Sequence, residues 1–389
     1  MREGWEYKKL GDCFPYIKNG ANIKQIKGAD GLPITRIETL SGGVFNRDRM
    51  GYAGIYNLDK YSDYVLEDGD LLLSHINSKT YIGRTVEYRA KNDETIIHGM
   101  NLLRLKSNLD VINSSFFAYY TLSNDFKTNV AKVRKDAVNQ SSIAISDIRK
   151  FSIPVPPIQS QQYVVDELDK INELIRLKKE QLKDYDNLAQ SIFYEMFGDP
   201  VVNEKGWEVK KLGDVCKFTQ GTQVPIEEQH LSKENGLVQF LRIIDFTQGK
   251  DAPRFVKCSN DKYILHEREI AVVRYGTPGF ICYGKIGAIA NNLFKITPNQ
   301  KDMFEFEFLV HWLNTEAFQS AVKSKQYGAA LQAIKFSTIQ GINIIIPSLT
   351  VQRSFATRIS QIDKQKQYIE ESIKELESLL ASRMQYWFD

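Results

Sequence analysis

Few residues in this chain are arranged as reagents. GFICYGKI at 279–286 has the G-x4-G-K spacing with which a P-loop cradles phosphate. Ile286 stands where the motif needs Ser or Thr, however, and the stretch reads as a β-hairpin and not as a strand-to-helix turn. DPVVNEKGWEVK at 199–210 offers an aspartate followed by Glu-x-Lys, as metal-dependent nucleases do. The related stretch GWEYKKLGD at 4–12 keeps Glu6 and Lys8 with no aspartate upstream, so a repeated connector is the simpler reading. His75, His98, His230, His266 and His311 form no i,i+4 ligand pair. Cys13, Cys216, Cys258 and Cys282 form no CxxC pair and read as reduced structural thiols. No glycine-rich cofactor loop follows a first strand, and Val155–Pro156–Pro157–Ile158 lacks both the polar and the aromatic residue of a base-flipping Asn-Pro-Pro-Tyr tetrad. The chain is expected to have no catalytic residues, no metal and no cofactor of its own.

What remains suits binding to a polyanion that carries sequence. Lys and Arg contact phosphates, while Arg, Asn and Gln read base edges through paired hydrogen bonds. Loop-like stretches rich in these residues recur in two blocks. In the first block the candidates for DNA contact are Lys18, Lys24, Arg36, Ser74, Asn77, Lys79, Arg84, Lys132, Arg134, Lys135, Asn139 and Gln140. In the second they are Thr219, Gln220, Thr222, Arg242, Arg274, Tyr275, Thr277, Lys285, Lys323, Lys325, Gln326 and Gln332. Residues 18–150 hold 19 basic against 15 acidic residues and 217–340 hold 15 against 12, so the positive excess sits in these blocks. The excess is small and supports a polyanionic partner only weakly.

Two copies of one plan position these residues. GWEYKKLGD is repeated as GWEVKKLGD at 206–214, and IRKFSIPVPPIQSQQ at 148–162 is matched by IQGINIIIPSLTVQR at 339–353. Each of the latter is a short β-rich run stopped by proline, which has no N–H to donate. A long helical pattern then follows. Val164, Leu168, Ile171, Ile175, Leu182, Tyr185, Ala189, Ile192 and Met196 are spaced by alternating fours and threes, broken at Lys178. Phe355, Ile359, Ile362, Ile369, Ile373, Leu376, Leu380 and Trp387 repeat that phase, broken at Lys366 and Arg383. A heptad duplicated in phase predicts that the two helices pack on each other as a coiled coil. The seam is expected at Val164, Leu168, Ile171, Ile175 and Leu182, and at Phe355, Ile359, Ile362, Ile369 and Ile373. In an antiparallel pair Lys178 and Lys366 should lie close together, with their stems carrying the charges outward.

The blocks between share a skeleton at low identity. YVLEDGDLLLS (64–74) parallels YILHEREIAVV (263–273), GMNLLRLK (99–106) parallels NNLFKIT (291–297), and ITRIETL parallels FLRIIDF, setting Arg36 opposite Arg242. The expected fold is α+β: two α/β heads joined by two long antiparallel helices, with pseudo-twofold symmetry. The expected segments are 1–150 (first head), 151–198 (first helix), 199–340 (second head) and 341–389 (second helix). A chain of 389 residues, 42% hydrophobic and 25% charged, can bury such cores. No apolar run approaches a membrane span and the N-terminal stretch has no signal-peptide core, so a cytoplasmic location is expected.

In these features the chain resembles the specificity subunits of type I restriction–modification systems. The resemblance covers essentially the whole length and rests on the GWExKKLGD openings, the strand-to-proline junctions with Gln159, Gln161 and Gln352, the long helices and the two unlike heads. The second junction departs from the pattern: Ser348, Thr350 and Val351 replace the doubled proline and the glutamine-rich run. The resemblance implies target-recognition domains that each read half of a bipartite, asymmetric site in double-stranded DNA, with the helices setting the spacer. It also implies recruitment of two methyltransferase subunits that use S-adenosylmethionine, and of ATP-dependent restriction (endonuclease and translocase) subunits. The alternatives are a coiled-coil scaffold with two protein- or carbohydrate-binding heads, or a self-contained methyltransferase.

Overall fold

The computed structural model describes residues 4–138, 140–247, 251–300, 302–324 and 334–389. The chain forms two compact units, Met1–Lys178 with Ser372–Asp389, and Lys179–Glu371. Their limits differ from the consecutive segments expected above, because each long helix is shared between units.

Each unit begins with the repeated opening. Glu6–Lys9 pairs antiparallel with Ser152–Val155, Glu6 opposite Val155. Glu208–Lys211 pairs in the same way with Asn343–Ile346. The opening and the junction, far apart in sequence, are thus the two strands of one small sheet, and each junction strand stops just before a proline, Pro156 or Pro347. A helical turn follows the opening, and its buried first residue, Leu10 or Leu212, donates its backbone N–H to the carbonyl of Phe151 or Ile342. The opening sequence is repeated because it closes each head onto its junction.

The first head is a four-stranded antiparallel sheet in the order Tyr16–Asn19, Leu102–Lys106, Leu71–Ser74, Thr85–Glu87. Helices Ser114–Tyr120 and Asn124–Val133 cover it, capped by the Asn113 and Ser123 side chains, which accept from the Phe116 and Phe126 amides. Phe116, Phe117, Tyr120 and Phe126 fill the space beneath. The second head repeats this sheet as Cys216–Gln220, Leu293–Pro298, Ile270–Val273, Ile281–Cys282, and adds a second four-stranded sheet. Helices Phe306–Leu313 and Glu316–Ser324 stand where the first head has its pair.

The long helices are Ile158–Phe197 and Leu349–Phe388, both without Gly or Pro. Gly198, at φ 76°, ends the first in the left-handed conformation that glycine adopts most readily. The helices run antiparallel in both units. In the first, Tyr163 meets Trp387 and Glu167 meets Arg383; in the second, Asp186 meets Lys366 and Glu195 meets Arg358. Nine of the ten expected seam residues are buried, from Val164 and Phe355 at 0% exposure to Ile171, Ile175 and Ile373 at 7%, and Leu182 is half-buried.

The structure corrects two details. Lys366 is not left unpaired in the seam: its ammonium lies 2.6 Å from Asp186 on the facing helix, within its own unit. Arg383 likewise closes on Glu167 and stacks over Tyr386 and Trp387. The heptad also drifts. Phe193 and Phe197 are buried where Ile192 and Met196 were expected, and Phe388 is buried beside a half-buried Trp387. Among the described residues no helix is long and apolar enough to cross a membrane.

Candidate nucleic-acid interface

Two candidate stretches that are distant in sequence, 74–84 and 132–142, meet on one three-stranded sheet. Its order is Ile76–Asn77, Gln140–Ser142, Lys135–Ala137. Asn77 lies opposite Ser141, and Lys135 opposite Ser142. Lys79 reaches to 3.9 Å from Asp136, which shares a face of this sheet with Asn77, while Lys135 and Gln140 occupy the alternate positions, on the other face.

A second cluster sits at the same place in each head, where the first strand of the main sheet ends. Asn19 accepts hydrogen bonds from the backbone of Gly20 and Asn101 at 3.2 Å. Gln220 donates to the Asn291 carbonyl at 3.0 Å, and Asn291 donates on to Gln223. A Cβ on Gly20 would lie 2.2 Å from the Gly99 carbonyl oxygen, and one on Gly221 2.3 Å from that of Ala290, so only glycine permits this approach. Beside the cluster, His75 and Arg274 hold equivalent positions, each with its carbonyl accepting from the chain after the head's helices, Ile143 or Ile334. Burial lowers the His75 pKa to about 4, partly opposed by a hydrogen bond to the Asn101 backbone. Arg274 is half-buried. Asn19, His75, Asn101, Asn291 and Asn292 lie outside the candidate set, although the strand alignment puts an asparagine before Leu102 and before Leu293.

The structure separates the candidates by what already holds them. Ser74 is 0% exposed and accepts from the Asn77 amide, so it is a core residue and not a contact. Arg84 turns inward to the Leu40 carbonyl and stacks on Tyr81. Arg134 closes on Asp136 through two nitrogens, 2.6 and 3.3 Å away. Arg242 makes the same fork on Asp245 at 3.0 and 3.1 Å, which raises its pKa further. Lys285 donates to the Asp245 carbonyl beneath the Phe246 ring. Such cations stabilise their own head, and a phosphate would have to displace those partners. Arg36 is exposed and loosely paired with Glu38. Lys18, Lys24, Lys132, Lys135 and Lys323 are exposed, and like Arg274 they have no carboxylate partner among the described residues; Lys18 lies over Tyr16. Gln140, Tyr275 and Thr277 are exposed, and Thr219 and Thr222 half-buried. Asn139, Lys325, Gln326 and Gln332 lie outside the described residues.

The motifs excluded above have structural roles. GFICYGKI forms strand Ile281–Cys282 and a turn at Gly284 that leads into strand Gly287–Ile289, with no helix to receive a phosphate. Cys13, Cys216 and Cys282 are buried, and burial pushes their thiols up to about 11, about 12 and about 12. Among the described residues no group of His, Cys, Asp and Glu could hold a metal ion.

A head with polar loops at its tip, closed by a small sheet onto a long helix and built twice in one chain, defines a duplicated recognition protein. The family model for the type I restriction modification DNA specificity domain matches residues 2–184 and again 204–378, and the chain belongs to that family. It is 29% identical over 413 residues to the putative type I restriction enzyme MjaX specificity subunit of Methanocaldococcus jannaschii, covering 98% of this chain and 93% of that one. It is 20% identical to the type I restriction enzyme StySPI specificity subunit of Salmonella potsdam, covering 96% and 85%. Among solved structures it resembles the type I restriction–modification S subunit of M. genitalium, with TM-score 0.54 at 14% identity over 98% and 95% of the two chains. It also resembles a chain from a structure concerned with complex assembly and conformational transition of the type I R-M system, with TM-score 0.57 at 18% identity over 100% and 98%. These matches leave the scaffold with protein- or carbohydrate-binding heads without support.

Proposed function

We propose that this DNA specificity subunit reads a bipartite, asymmetric site, with one half assigned to each head. The observation that carries this reading is the contrast between what the two units keep and what they vary. The opening-to-junction sheet, the buried glutamine at the start of each long helix and the helix itself are kept. The residues where the first strand of each main sheet ends differ: exposed Asn19 and buried His75 in one, half-buried Gln220 and Arg274 in the other, beside an asparagine common to both, Asn101 or Asn292. Two different reading surfaces on equal supports suit two different half-sites, and helices of 40 residues, about 60 Å each at 1.5 Å per residue, suit a fixed spacer between them.

The chemistry on DNA then belongs to partners. Two modification subunits carrying S-adenosylmethionine would dock on the repeated parts, and ATP-dependent restriction subunits would join for cleavage. The relatives' names as specificity subunits, and the matching structure concerned with assembly of a type I system, support this division. The test is binding of the purified chain and of its co-expressed complex to duplex DNA across a salt series. Specific binding by the complex that falls steeply with salt is expected, with no retention of labelled S-adenosylmethionine by the chain alone. Salt-independent binding, or retention of the cofactor by the isolated chain, would contradict the proposal.

A further inference from the structure

Val138 is 98% exposed, the most exposed large apolar side chain among the described residues. It follows strand Lys135–Ala137, whose Ala137 lies opposite Gln140, so it sits where the strand ends at the tip of the hairpin. A valine so fully hydrated runs against the apolar character of its side chain. A residue that breaks this rule at the end of a firmly held hairpin, with lysine and glutamine beside it, marks a functional position. The base of the hairpin is firmly held. Ser141 donates to Asp136 at 2.6 Å, Arg134 forks onto the same carboxylate, and strand Ile76–Asn77 pairs alongside. Lys135 and Gln140 flank the tip, both exposed.

A two-stranded ribbon is an element the major groove admits. The one apolar group presented there is the thymine 5-methyl, which the minor groove lacks. Resting on the reading of the first head as a DNA reader, we propose that this hairpin lies in the major groove of the first half-site and that Val138 recognises a thymine there through its 5-methyl group. Lys135 is then placed for a phosphate and Gln140 for a neighbouring base edge.

The test uses the complex co-expressed with its modification subunits, whose methylated site is mapped first; absence of any specific site would overturn the proposed function itself. Duplexes are then made in which each thymine of the first half-site, on either strand, is replaced singly by deoxyuridine, which removes only the methyl. Loss of one buried methyl corresponds to about fourfold in affinity. One replacement should weaken wild-type binding by that factor, and Val138→Ala should bind the thymine and uracil duplexes equally, with its melting temperature unchanged. A first half-site in which no replacement weakens binding would overturn the proposal. So would a Val138→Ala variant that keeps the full discrimination. Uniform loss on every duplex would also overturn it and assign Val138 to a wedge between base pairs.

Discussion

Gln161 and Gln352 make the same three hydrogen bonds, one in each unit. The Gln161 carbonyl accepts from the Asn113 amide at 2.8 Å, while its NH2 donates to the Val111 and Pro156 carbonyls at 2.9 and 2.7 Å. Gln352 accepts from Glu305 at 2.8 Å and donates to Met303 and Pro347 at 3.2 and 2.8 Å. Both side chains are 0% exposed. Asn113 and Glu305 are the N-caps of the first head helix in each unit, so one buried glutamine fastens the head helix to the start of the long helix.

Replacing either glutamine with leucine removes the partners of one N–H and two carbonyls at once. Each orphaned buried group costs about 1–3 kcal/mol. With partial relaxation Gln161→Leu and Gln352→Leu should each lose roughly 2–5 kcal/mol, measured by urea unfolding of the full chain. Faster amide exchange should accompany this at Asn113 or Glu305. A neutral outcome would show that the head does not depend on this clamp.

The helix seam makes a paired prediction. Ile175 is 7% exposed and Leu177, two residues on, is 46% exposed. Ile175→Asp buries an unpaired charge and should cost several kcal/mol, whereas Leu177→Asp should stay within about 0.5 kcal/mol of wild type. Thermal unfolding of the two variants distinguishes a packed seam from a pair of independent surface helices.

Acid should loosen the protein through its buried histidines. Burial lowers the pKa of His75, His98 and His311 to about 4 in the fold, against 6.5 for an ordinary histidine. Between pH 6.5 and 4 the unfolded chain therefore binds protons that the folded chain refuses. Stability rises with pH across this window and is lost as pH falls through it, by up to about 1.4 kcal/mol per pH unit for each histidine. Calorimetry should show a falling melting temperature from pH 6.5 to 4.5, with a shallower slope in His311→Gln. Two of the three histidines lie in the first head, so amide exchange should rise there first.

Salt dependence should sort the cations as the structure does. Lys135→Ala and Arg274→Ala remove charges without carboxylate partners, and each should reduce the slope of log affinity against log salt by about 1 if it meets a phosphate. Arg134→Ala and Arg242→Ala break internal forks and should lower stability with little change in that slope. Equal slopes for all four would contradict the assignment of free and committed cations.

The architecture was legible because repetition is a strong signal. The openings, the proline-stopped strands and the heptads each occur twice, and chance does not duplicate phase. The sequence showed that the two helices pair, but not that each opening meets its junction or that a helix end enters a head. The opening pairs with a junction strand more than a hundred residues away, and Phe388 near the end of the second helix enters the first core. Both are long-range contacts with no local pattern. The heptad failed toward the helix ends, where Phe193 and Phe197 replaced Ile192 and Met196, because a 3.6-residue helix drifts about 20° per heptad against a strict repeat. At the candidate site, residue type predicted chemistry but not availability. Ser74 and Arg84 belong to a polar stretch of sequence, yet one is in the core and the other folded onto Tyr81.

If each head reads its own half-site, a map of methylated sites in host DNA will separate the two. The chain would be co-expressed with its modification subunits as wild type, as Gln140→Ala and as Arg274→Ala. Gln140→Ala is expected to relax or alter bases in one half of the site only, and Arg274→Ala in the other half only, with the spacer unchanged. Substitutions in a single head that changed both halves equally would contradict it.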